Sequence, residues 1–373
     1  MRIPRRDLLQ QFGTAAVTTA LFPWPGELSF PTPAPPARLV LLNRNESAYG
    51  PCERAKVAFH EAFVEAKRYP GEDVENLRRA IAASHGVKPE NITLGCGSTE
   101  IFRMAAEAFL GSDKTLVMAS PTFDFIARAA RLLSAKVRTM PLTSDYGHDL
   151  GAMLAGVDAS TGLIYVCNPN NPTGTLTPKS DLEAFLPKVP PSVSVLIDEA
   201  YHDYVSPTGA YSSWAARAIA DTQLIVTRTF SKVYGLAGLR VGYAVSHVET
   251  AKRLSARGLP MDVSLVAARA VLAALSDQAY VKRVVTLNES DRQEFFNQAN
   301  ARMLRCLDSQ TNFVLFRVGK PGKEVAELLR SKGVLVAADY PLFEKHIRVT
   351  LGSAEDMQAF WRAWDALMPH HPM

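Results

Sequence analysis

The sequence predicts an α/β protein with a large domain built on a mostly parallel seven-stranded sheet and a smaller α+β domain. Short apolar runs alternate with helix-like stretches such as 99–110 and 123–133, which is typical of βαβ units. The runs are nearly continuous in Val, Ile and Leu, as expected for parallel strands with helices on both faces. The seven runs lie at 92–94, 115–118, 136–140, 163–167, 193–197, 224–227 and 241–245.

The pattern changes after about residue 255, and this change predicts the smaller domain. A long amphipathic region covers 264–302, and short strands and a last helix at 354–367 follow it. The three short strands are predicted near 312–317, 335–337 and 347–351. Upstream, the stretch 53–67 has helical periodicity, and we expect it to pack against the smaller domain or a partner subunit.

Four segments are therefore expected along the chain. They are a leader with a Pro-rich linker at 1–36, an N-terminal arm and helix at 37–66, the large domain at 67–255 and the small domain at 256–373.

Composition excludes several classes of protein. Of the 373 residues, 47% are hydrophobic and 21% charged, which is globular rather than disordered composition. The net charge of +4 is spread along the chain, so we expect neither a nucleic-acid-binding arm nor a basic membrane-binding tract. The four cysteines form no C-x-x-C pair, which argues against zinc and thioredoxin-like sites, and no metal is predicted.

The N-terminus is typical of a twin-arginine signal peptide. Arg5 and Arg6 precede an uncharged stretch at 12–24 and a Pro-rich segment at 25–36. The apolar stretch is too short to span a bilayer. We expect export of the folded protein to the periplasm; the alternative is a disordered or docking arm of a cytoplasmic enzyme.

Side chains that can take part in catalysis or ligand binding follow the predicted strands. This is where ligands of open α/β sheets bind. Lys232 comes after the run 224–227, among small and hydroxyl residues, and begins the order K-x-x-G-L-x-G-L-R-x-G. A desolvated lysine amine can attack an aldehyde, and Thr229, Ser231 and Arg240 can bind a phosphate. A solvated loop lysine is the alternative, which this order of residues disfavours.

Asp198 ends the apolar run 195–197. A carboxylate at that place can hold a protonated ring nitrogen. A helix N-cap or a magnesium ligand are alternatives. Because the chain has no G-x-x-x-x-G-K-[ST] loop, the nucleotide-hydrolase interpretation has no further support.

Two turns add polar groups at the ends of other strands. The loop Gly-Cys-Gly-Ser-Thr-Glu at 95–100 joins a strand to a helix, where free amides bind anions. The turn Cys-Asn-Pro-Asn-Asn-Pro-Thr-Gly at 167–174 follows another strand. Either segment alone is also compatible with a purely structural turn.

Together and in this order, these motifs resemble the fold-type I pyridoxal-5′-phosphate (PLP) enzymes of the aspartate-aminotransferase superfamily. The resemblance is closest to the histidinol-phosphate aminotransferase branch and runs from about 42 to 366. It implies the PLP-dependent transferase fold, PLP as cofactor, and a homodimer with shared active sites. Small-molecule amino acids and 2-oxo acids are the implied substrates.

The resemblance also implies roles for individual residues. Lys232 is the Schiff-base lysine and the catalytic residue. Arg348, in H-I-R-V-T-L-G, binds the substrate carboxylate with help from Asn312, and Tyr49 lies on the substrate side. Tyr69, in R-Y-P, reaches the cofactor phosphate of the neighbouring subunit. The other implied cofactor contacts are Gly97, Ser98, Thr99, Thr229 and Arg240 at the phosphate, Phe123 on the ring face, Asp198 at the ring nitrogen, and Asn171 and Tyr201 at the phenolic oxygen.

The implied reaction is ping-pong transfer of an amino group from an amino acid to a 2-oxo acid. Other PLP reactions on the same site, namely decarboxylation, racemisation and elimination, are the alternative. A non-catalytic PLP-dependent regulator is disfavoured, because too little sequence precedes the first motif for a DNA-binding domain.

The amino donor is expected to differ from that of the branch. Histidinol-phosphate aminotransferases hold the substrate phosphate with an arginine in a V-R-D stretch. Residues 336–339 here read Val-Ala-Ala-Asp. We therefore expect a donor with a neutral or aromatic side chain.

Overall fold

The structure is a computed structural model, and it describes residues 39–206, 209–259 and 261–368. The predicted leader and Pro-rich linker at 1–36 lie outside the described residues. The domain boundaries given above stay predictions.

The large sheet has seven strands in the order β2-β8-β7-β6-β5-β3-β4. Neighbours from β7 to β4 run parallel, while β8 is antiparallel to both β2 and β7. The predicted mostly parallel sheet is therefore confirmed. Its strands are β2 (Ile92–Cys96), β3 (Thr115–Ala119), β4 (Lys136–Met140), β5 (Thr161–Cys167), β6 (Ser194–Asp198), β7 (Leu224–Thr229) and β8 (Val241–Val245).

Two small sheets complete the strands. One has the order β12-β10-β9, and the other pairs β1 with β11 in parallel. Because β1 precedes the large sheet in sequence but pairs with β11, the N-terminal arm belongs structurally with the C-terminal part. The strands are β1 (Val40–Leu42), β9 (Arg305–Cys306), β10 (Phe313–Arg317), β11 (Val334–Val336) and β12 (His346–Thr350).

Helices cover the sheets, and the structure gives the bounds of the helices in two regions that the sequence predicted only broadly. The helix predicted at 53–67 ends at Phe63, and the region 264–302 is two helices. The break falls at Asp277, whose carboxylate accepts a hydrogen bond from the Tyr280 amide and so caps the second helix. The helices are α1 (Glu53–Phe63), α2 (Glu72–His85), α3 (Ser98–Phe109), α4 (Phe125–Leu132), α5 (Leu150–Ala155), α6 (Lys179–Phe185), α7 (Ala215–Ala218), α8 (Val248–Ser255), α9 (Leu265–Ser276), α10 (Gln278–Ala301), α11 (Gly322–Ser331) and α12 (Ala354–Leu367).

In the described part of the chain, no helix combines the length and apolar character that crossing a membrane requires.

The core lies on both faces of the large sheet. Alternate residues of β5 and β6 belong to two separate apolar clusters, one on each side. Since both faces are covered, ligands have access only at the strand ends. The parallel strands β5, β6 and β7 end at Cys167, Asp198 and Thr229, and this edge carries the site.

Candidate active site

A cavity of about 860 Å³ opens at the carboxyl edge of the large sheet. Its size suits a cofactor together with a small substrate. Ten of the fourteen predicted site residues line it: Ser98, Thr99, Phe123, Asn171, Asp198, Tyr201, Thr229, Lys232, Arg240 and Arg348.

One end of the cavity is built to bind an anion. Helix α3 begins at Ser98, so its positive N-terminal end faces this region. The Arg240 guanidinium reaches Thr99 Oγ1 at 3.4 Å and Ser231 Oγ at 3.5 Å. Gly97 has φ +76° and lies so close to Arg240 that a Cβ would overlap the guanidinium. The glycine therefore leaves the space that the arginine occupies.

The carboxylate of Asp198 lies at the end of β6 and is buried. Tyr165 donates to its Oδ2 at 3.1 Å, Thr227 donates to Oδ1 at 3.2 Å, and the Ala200 amide donates at 3.2 Å. Burial raises the pKa of Asp198 to about 6, although these donors act in the opposite direction. Above that pH the Asp198 carboxylate presents a fixed negative charge to a cationic ring nitrogen.

Lys232 follows β7, and its amine hydrogen-bonds the carbonyl oxygens of Asn45 at 3.0 Å and Arg44 at 3.4 Å. Its Nζ lies 5.5 Å from the centre of the Tyr201 ring. Burial, with the nearby Arg348 charge, lowers the pKa of Lys232 to about 8. Near neutral pH a useful fraction of this lysine is thus an uncharged nucleophile.

Arg348 on β12 points into the same cavity. It donates to Asn171 Oδ1 at 2.5 Å and to the Asn43 carbonyl at 2.9 Å, and its guanidinium packs against the rings of Phe313 and Tyr340. Its buried Nε has no hydrogen-bond partner among the described residues. A buried guanidinium with spare donors is suited to a planar carboxylate.

Phe123 and Tyr201 supply aromatic surface. Phe123 is half-buried and its ring centre is 6.1 Å from that of Phe102. Tyr201 packs edge-on against Phe313, and its hydroxyl accepts a hydrogen bond from Asn45 Nδ2 at 2.9 Å.

Four predicted site residues are not among those lining the cavity. Gly97 stands behind Arg240, and Asn312 donates to the carbonyls of Asn45 and Glu46. The Tyr49 hydroxyl hydrogen-bonds Asp291 on α10 instead of facing the cavity. Tyr69 is 83% exposed.

Three residues of the site were not predicted from the sequence. Tyr165 contacts Asp198 from within β5, Asn45 contacts both Tyr201 and Lys232, and Tyr340 lies beside Arg348. The only signal for Tyr165 was a hydroxyl within an otherwise apolar strand next to Asp198. Asn45 begins the stretch Asn-Glu-Ser-Ala-Tyr-Gly at 45–50, which also contains Tyr49.

The arrangement fits PLP. An anion site, a buried carboxylate, an aromatic ring and a lysine with a depressed pKa all face one cavity, and the glycine at 97 keeps the anion site open. Fold and site together define a PLP-dependent enzyme of the aspartate-aminotransferase fold.

Comparison with known proteins gives the family. Residues 37–363 match the family described as Aminotransferase class I and II, so the chain belongs to that family.

Relatives and solved structures agree with this assignment. The histidinol-phosphate aminotransferase of Moorella thermoacetica is 37% identical over 326 residues, covering 87% of this chain and 84% of that protein. Histidinol-phosphate aminotransferase 2 of Ralstonia nicotianae is 40% identical, covering 87% of each chain. The histidinol-phosphate aminotransferase of Sinorhizobium meliloti, solved in complex with PLP, superposes with a TM-score of 0.83 at 27% identity, covering 88% of this chain and 90% of that one. The chain is a PLP-dependent aminotransferase, and its resemblance to the histidinol-phosphate aminotransferase branch is confirmed.

The side chains explain how transfer of an amino group proceeds. Bound PLP supplies the electron sink for the charge left when the Cα–H bond of the amino acid breaks. Lys232, once its amine is free, would take the proton from Cα and deliver it to the cofactor carbon that receives the amino group. Asp198 would keep the ring nitrogen protonated, and Arg348 would hold the carboxylate of the amino acid or 2-oxo acid. Because the two substrates use the same site in turn, the reaction is ping-pong.

Proposed function

We propose that the amino donor of this aminotransferase is an amino acid with a neutral or aromatic side chain rather than a phosphate ester. The observation that carries the proposal is the segment of residues 337–341 beside Arg348, of which Asp339, Tyr340 and Pro341 line the cavity.

Ala337 begins this segment. It pairs with Arg348 through two backbone hydrogen bonds, of 3.0 and 2.7 Å. In the branch that the chain resembles, an arginine in the corresponding V-R-D stretch helps bind the substrate phosphate. A methyl group at this position removes that positive charge from the edge of the carboxylate site.

The rest of the segment is apolar or acidic. The Tyr340 ring packs on the Arg348 guanidinium, whose carbon lies 5.7 Å from the centre of the ring. Pro341, the next residue, also lines the cavity. Asp339 also lines the cavity, with its carboxylate 2.9 Å from the ammonium group of Lys323. An aromatic ring beside the carboxylate site favours an apolar donor side chain, whereas the exposed Asp339 carboxylate is paired with Lys323 and screened by solvent.

Histidinol phosphate is the second candidate. The names of the relatives favour it, and Arg44, Arg128 and Arg131 also line the cavity. Arg128 pairs with Asp124, both largely exposed, so solvent screens its charge.

A donor panel with 2-oxoglutarate as acceptor separates the candidates. We expect kcat/KM for phenylalanine, leucine or a similar donor to exceed that for histidinol phosphate. Ala337→Arg is expected to raise kcat/KM for histidinol phosphate, whereas Ala337→Gln, of similar length but uncharged, should not. Wild-type preference for histidinol phosphate would refute the proposal.

We also propose that the enzyme is a homodimer with shared sites. Tyr69 is highly exposed and lies outside its own cavity. Phe63, Val64, Leu259 and Met261 are also exposed, and Leu259 and Met261 line one small groove together with Pro70, next to Tyr69. Exposed apolar side chains grouped around the predicted intersubunit tyrosine support a dimer face here.

Export by the twin-arginine route is a third proposal, and it rests on the sequence of residues 1–36 alone. Expression of the full chain in a bacterium with that pathway tests it by cell fractionation. We expect periplasmic activity that is lost when Arg5 and Arg6 are both changed to lysine. Equal periplasmic activity of the two proteins would contradict the proposal.

A further inference from the structure

Asn45 has hydrogen bonds at every polar atom although it stands in a connecting segment between β1 and α1. It is 1% exposed and has φ +55°, a left-handed conformation that asparagine tolerates better than most residues. Its contacts come from four separate parts of the fold. The backbone N–H donates to Thr350 Oγ1 (2.9 Å), the carbonyl accepts from Lys232 (3.0 Å) and Asn312 (3.2 Å), Oδ1 accepts from Thr350 Oγ1 (3.3 Å), and Nδ2 donates to the Tyr201 hydroxyl (2.9 Å).

These contacts fix the direction of each hydrogen bond. Thr350 Oγ1 accepts the Asn45 backbone N–H, so its own hydrogen goes to Asn45 Oδ1. This orients the amide so that Nδ2 faces Tyr201. An amide nitrogen only donates, and therefore the Tyr201 oxygen must accept.

The Tyr201 hydrogen is consequently left for another acceptor. Tyr201 lines the cavity beside Lys232, where its predicted partner is the phenolic oxygen of the cofactor. We propose that Asn45 is a positioning residue that holds the Tyr201 hydroxyl with its hydrogen directed at this phenolic oxygen, and that Thr350 sets the orientation of Asn45.

The same contacts join the cofactor side of the cavity to the carboxylate side. Thr350 and Arg348 are two residues apart on β12, so their side chains are on the same face of the strand. The strand that carries the carboxylate-binding arginine thus supports the tyrosine hydroxyl through one asparagine. This inference does not depend on which amino donor the enzyme uses.

The absorbance of the bound cofactor as a function of pH measures the proposed role. A donor on the phenolic oxygen stabilises its anionic form and competes with the proton shared with the lysine nitrogen. Weakening that donor raises the pH midpoint of the absorbance change. One hydrogen bond to an anionic oxygen corresponds to a shift of about 1–2 pH units.

Four variants of the holoenzyme make the test specific. Tyr201→Phe gives the full shift. Asn45→Gly keeps the left-handed backbone but removes the amide, and Thr350→Val removes the hydroxyl at similar volume; both are expected to raise the midpoint. Thr350→Ser keeps the hydroxyl and should match the wild type.

The charged and titratable groups around Tyr201 and Lys232 are unchanged in all four proteins; they are Arg348, Asp198, Glu46, Arg240 and Cys167. Circular dichroism and cofactor content establish that each variant is folded and loaded. If Asn45→Gly and Thr350→Val keep the wild-type midpoint while Tyr201→Phe shifts it, Asn45 does not orient Tyr201. An unshifted Tyr201→Phe protein would overturn the proposal as well, because Tyr201 would then not donate to the cofactor.

Discussion

The buried amine of Lys232 has a consequence that can be measured on the cofactor-free enzyme. Only the uncharged amine attacks the PLP aldehyde, and the pKa of Lys232 is lowered to about 8. The rate of reconstitution with PLP should rise about tenfold per pH unit below pH 8 and level off above it. Stopped-flow absorbance measures this reconstitution rate from about pH 6.5 to 9.5, which is roughly the interval around the pKa of Lys232.

The control for this experiment is Lys232→Ala, which should bind PLP without the absorbance of the lysine adduct. A rate that kept rising to the pKa of an exposed lysine would show that the amine is not desolvated.

Arg348 provides the second prediction at the residue scale. Its buried guanidinium binds Asn171 and stacks on two rings. Removing one partner of a buried charge pair costs about 2–5 kcal/mol. Arg348→Ala should therefore lower kcat/KM for every donor about 30-fold or more, mainly through KM.

Arg330→Lys, which alters an exposed ion pair with Glu327 on α11, is the surface control and should leave kcat/KM unchanged. Donors that lost nothing in the Arg348→Ala enzyme would bind their carboxylate elsewhere.

Site residues at strand ends were predictable because each follows an apolar run and carries an unusual functional group. Lys232 and Asp198 met both conditions, whereas Arg240 precedes β8 and was identified from the order K-x-x-G-L-x-G-L-R-x-G. Asn45 and Tyr165 did not, since their roles depend on contacts across the fold: Asn45 reaches Thr350, 305 positions away in sequence. The sequence also could not predict that Tyr49 lies outside the cavity, because its hydrogen-bond partner Asp291 lies on a helix 242 positions further along the chain.

At the scale of elements, the junction of β8 and α3 determines the shape of the predicted phosphate site. Gly242 on β8 lies against the backbone of Gly97 and Ser98, and a Cβ there would overlap both. Gly242→Ala must displace the start of α3. We expect the Kd for PLP to rise about tenfold or more, which is about 1.4 kcal/mol.

Gly151→Ala within α5 is the matched control, since its Cβ would make only an ordinary contact of 3.4 Å with Asp149. Equilibrium titration of the cofactor-free proteins gives both constants. Equal Kd values for wild type and Gly242→Ala would mean that the start of α3 does not contact the phosphate.

A buried histidine just before α5 contacts the end of β5 and affects stability in acid. His148 Nε2 lies 2.9 Å from the Cys167 carbonyl, and burial lowers the pKa of His148 to about 4. In the unfolded chain a histidine binds its proton near pH 6.5, whereas His148 in the folded protein does so only near pH 4. The free energy of unfolding therefore falls by about 3 kcal/mol as the pH drops from 6.5 to 4.

His148→Gln should therefore lose less stability than the wild type between pH 7 and pH 4, whereas His60→Gln on the exposed side of α1 should not differ. Urea unfolding with saturating PLP measures the free energy of unfolding of each protein. Measurements at about pH 4, 5.5 and 7 cover the range in which the protonation of His148 changes stability. Parallel stability curves for the wild type and His148→Gln would contradict the expectation.

Strand positions in the large sheet were predicted to within a few residues because buried parallel strands are continuous apolar runs. The pairing of β1 with β11 was not predicted, because a strand of three residues is too short to show a recognisable hydrophobic pattern. The break at Asp277 was missed because amphipathic character continues from α9 into α10, and only the cap at Asp277 separates them.

For the whole molecule, the cavity depends on parts of the chain that are distant in sequence. The large sheet provides Lys232 and Asp198, β12 provides Arg348, and the segment after β1 provides Asn45. No single segment contains a complete site, so the order of the motifs could predict the fold while the contacts between them required the structure.

The proposed dimer gives the last prediction. If Tyr69 completes the cavity of its partner, Tyr69→Phe should weaken PLP binding by about 1.5–3 kcal/mol, the range for a hydrogen bond to a charged group. Light scattering should give twice the mass of one chain for wild type and variant.

Subunit mixing then separates a shared site from a merely dimeric protein. Lys232→Ala alone is inactive, and Tyr69→Ala alone is impaired at low PLP. After exchange at equal amounts, about half of the dimers are mixed, and each holds one site with an intact lysine and an intact partner tyrosine. Activity at low PLP should therefore exceed the mean of the two parent proteins. A mixture that only averages them would place Tyr69 outside the partner's site, because exchange would then create no complete cavity.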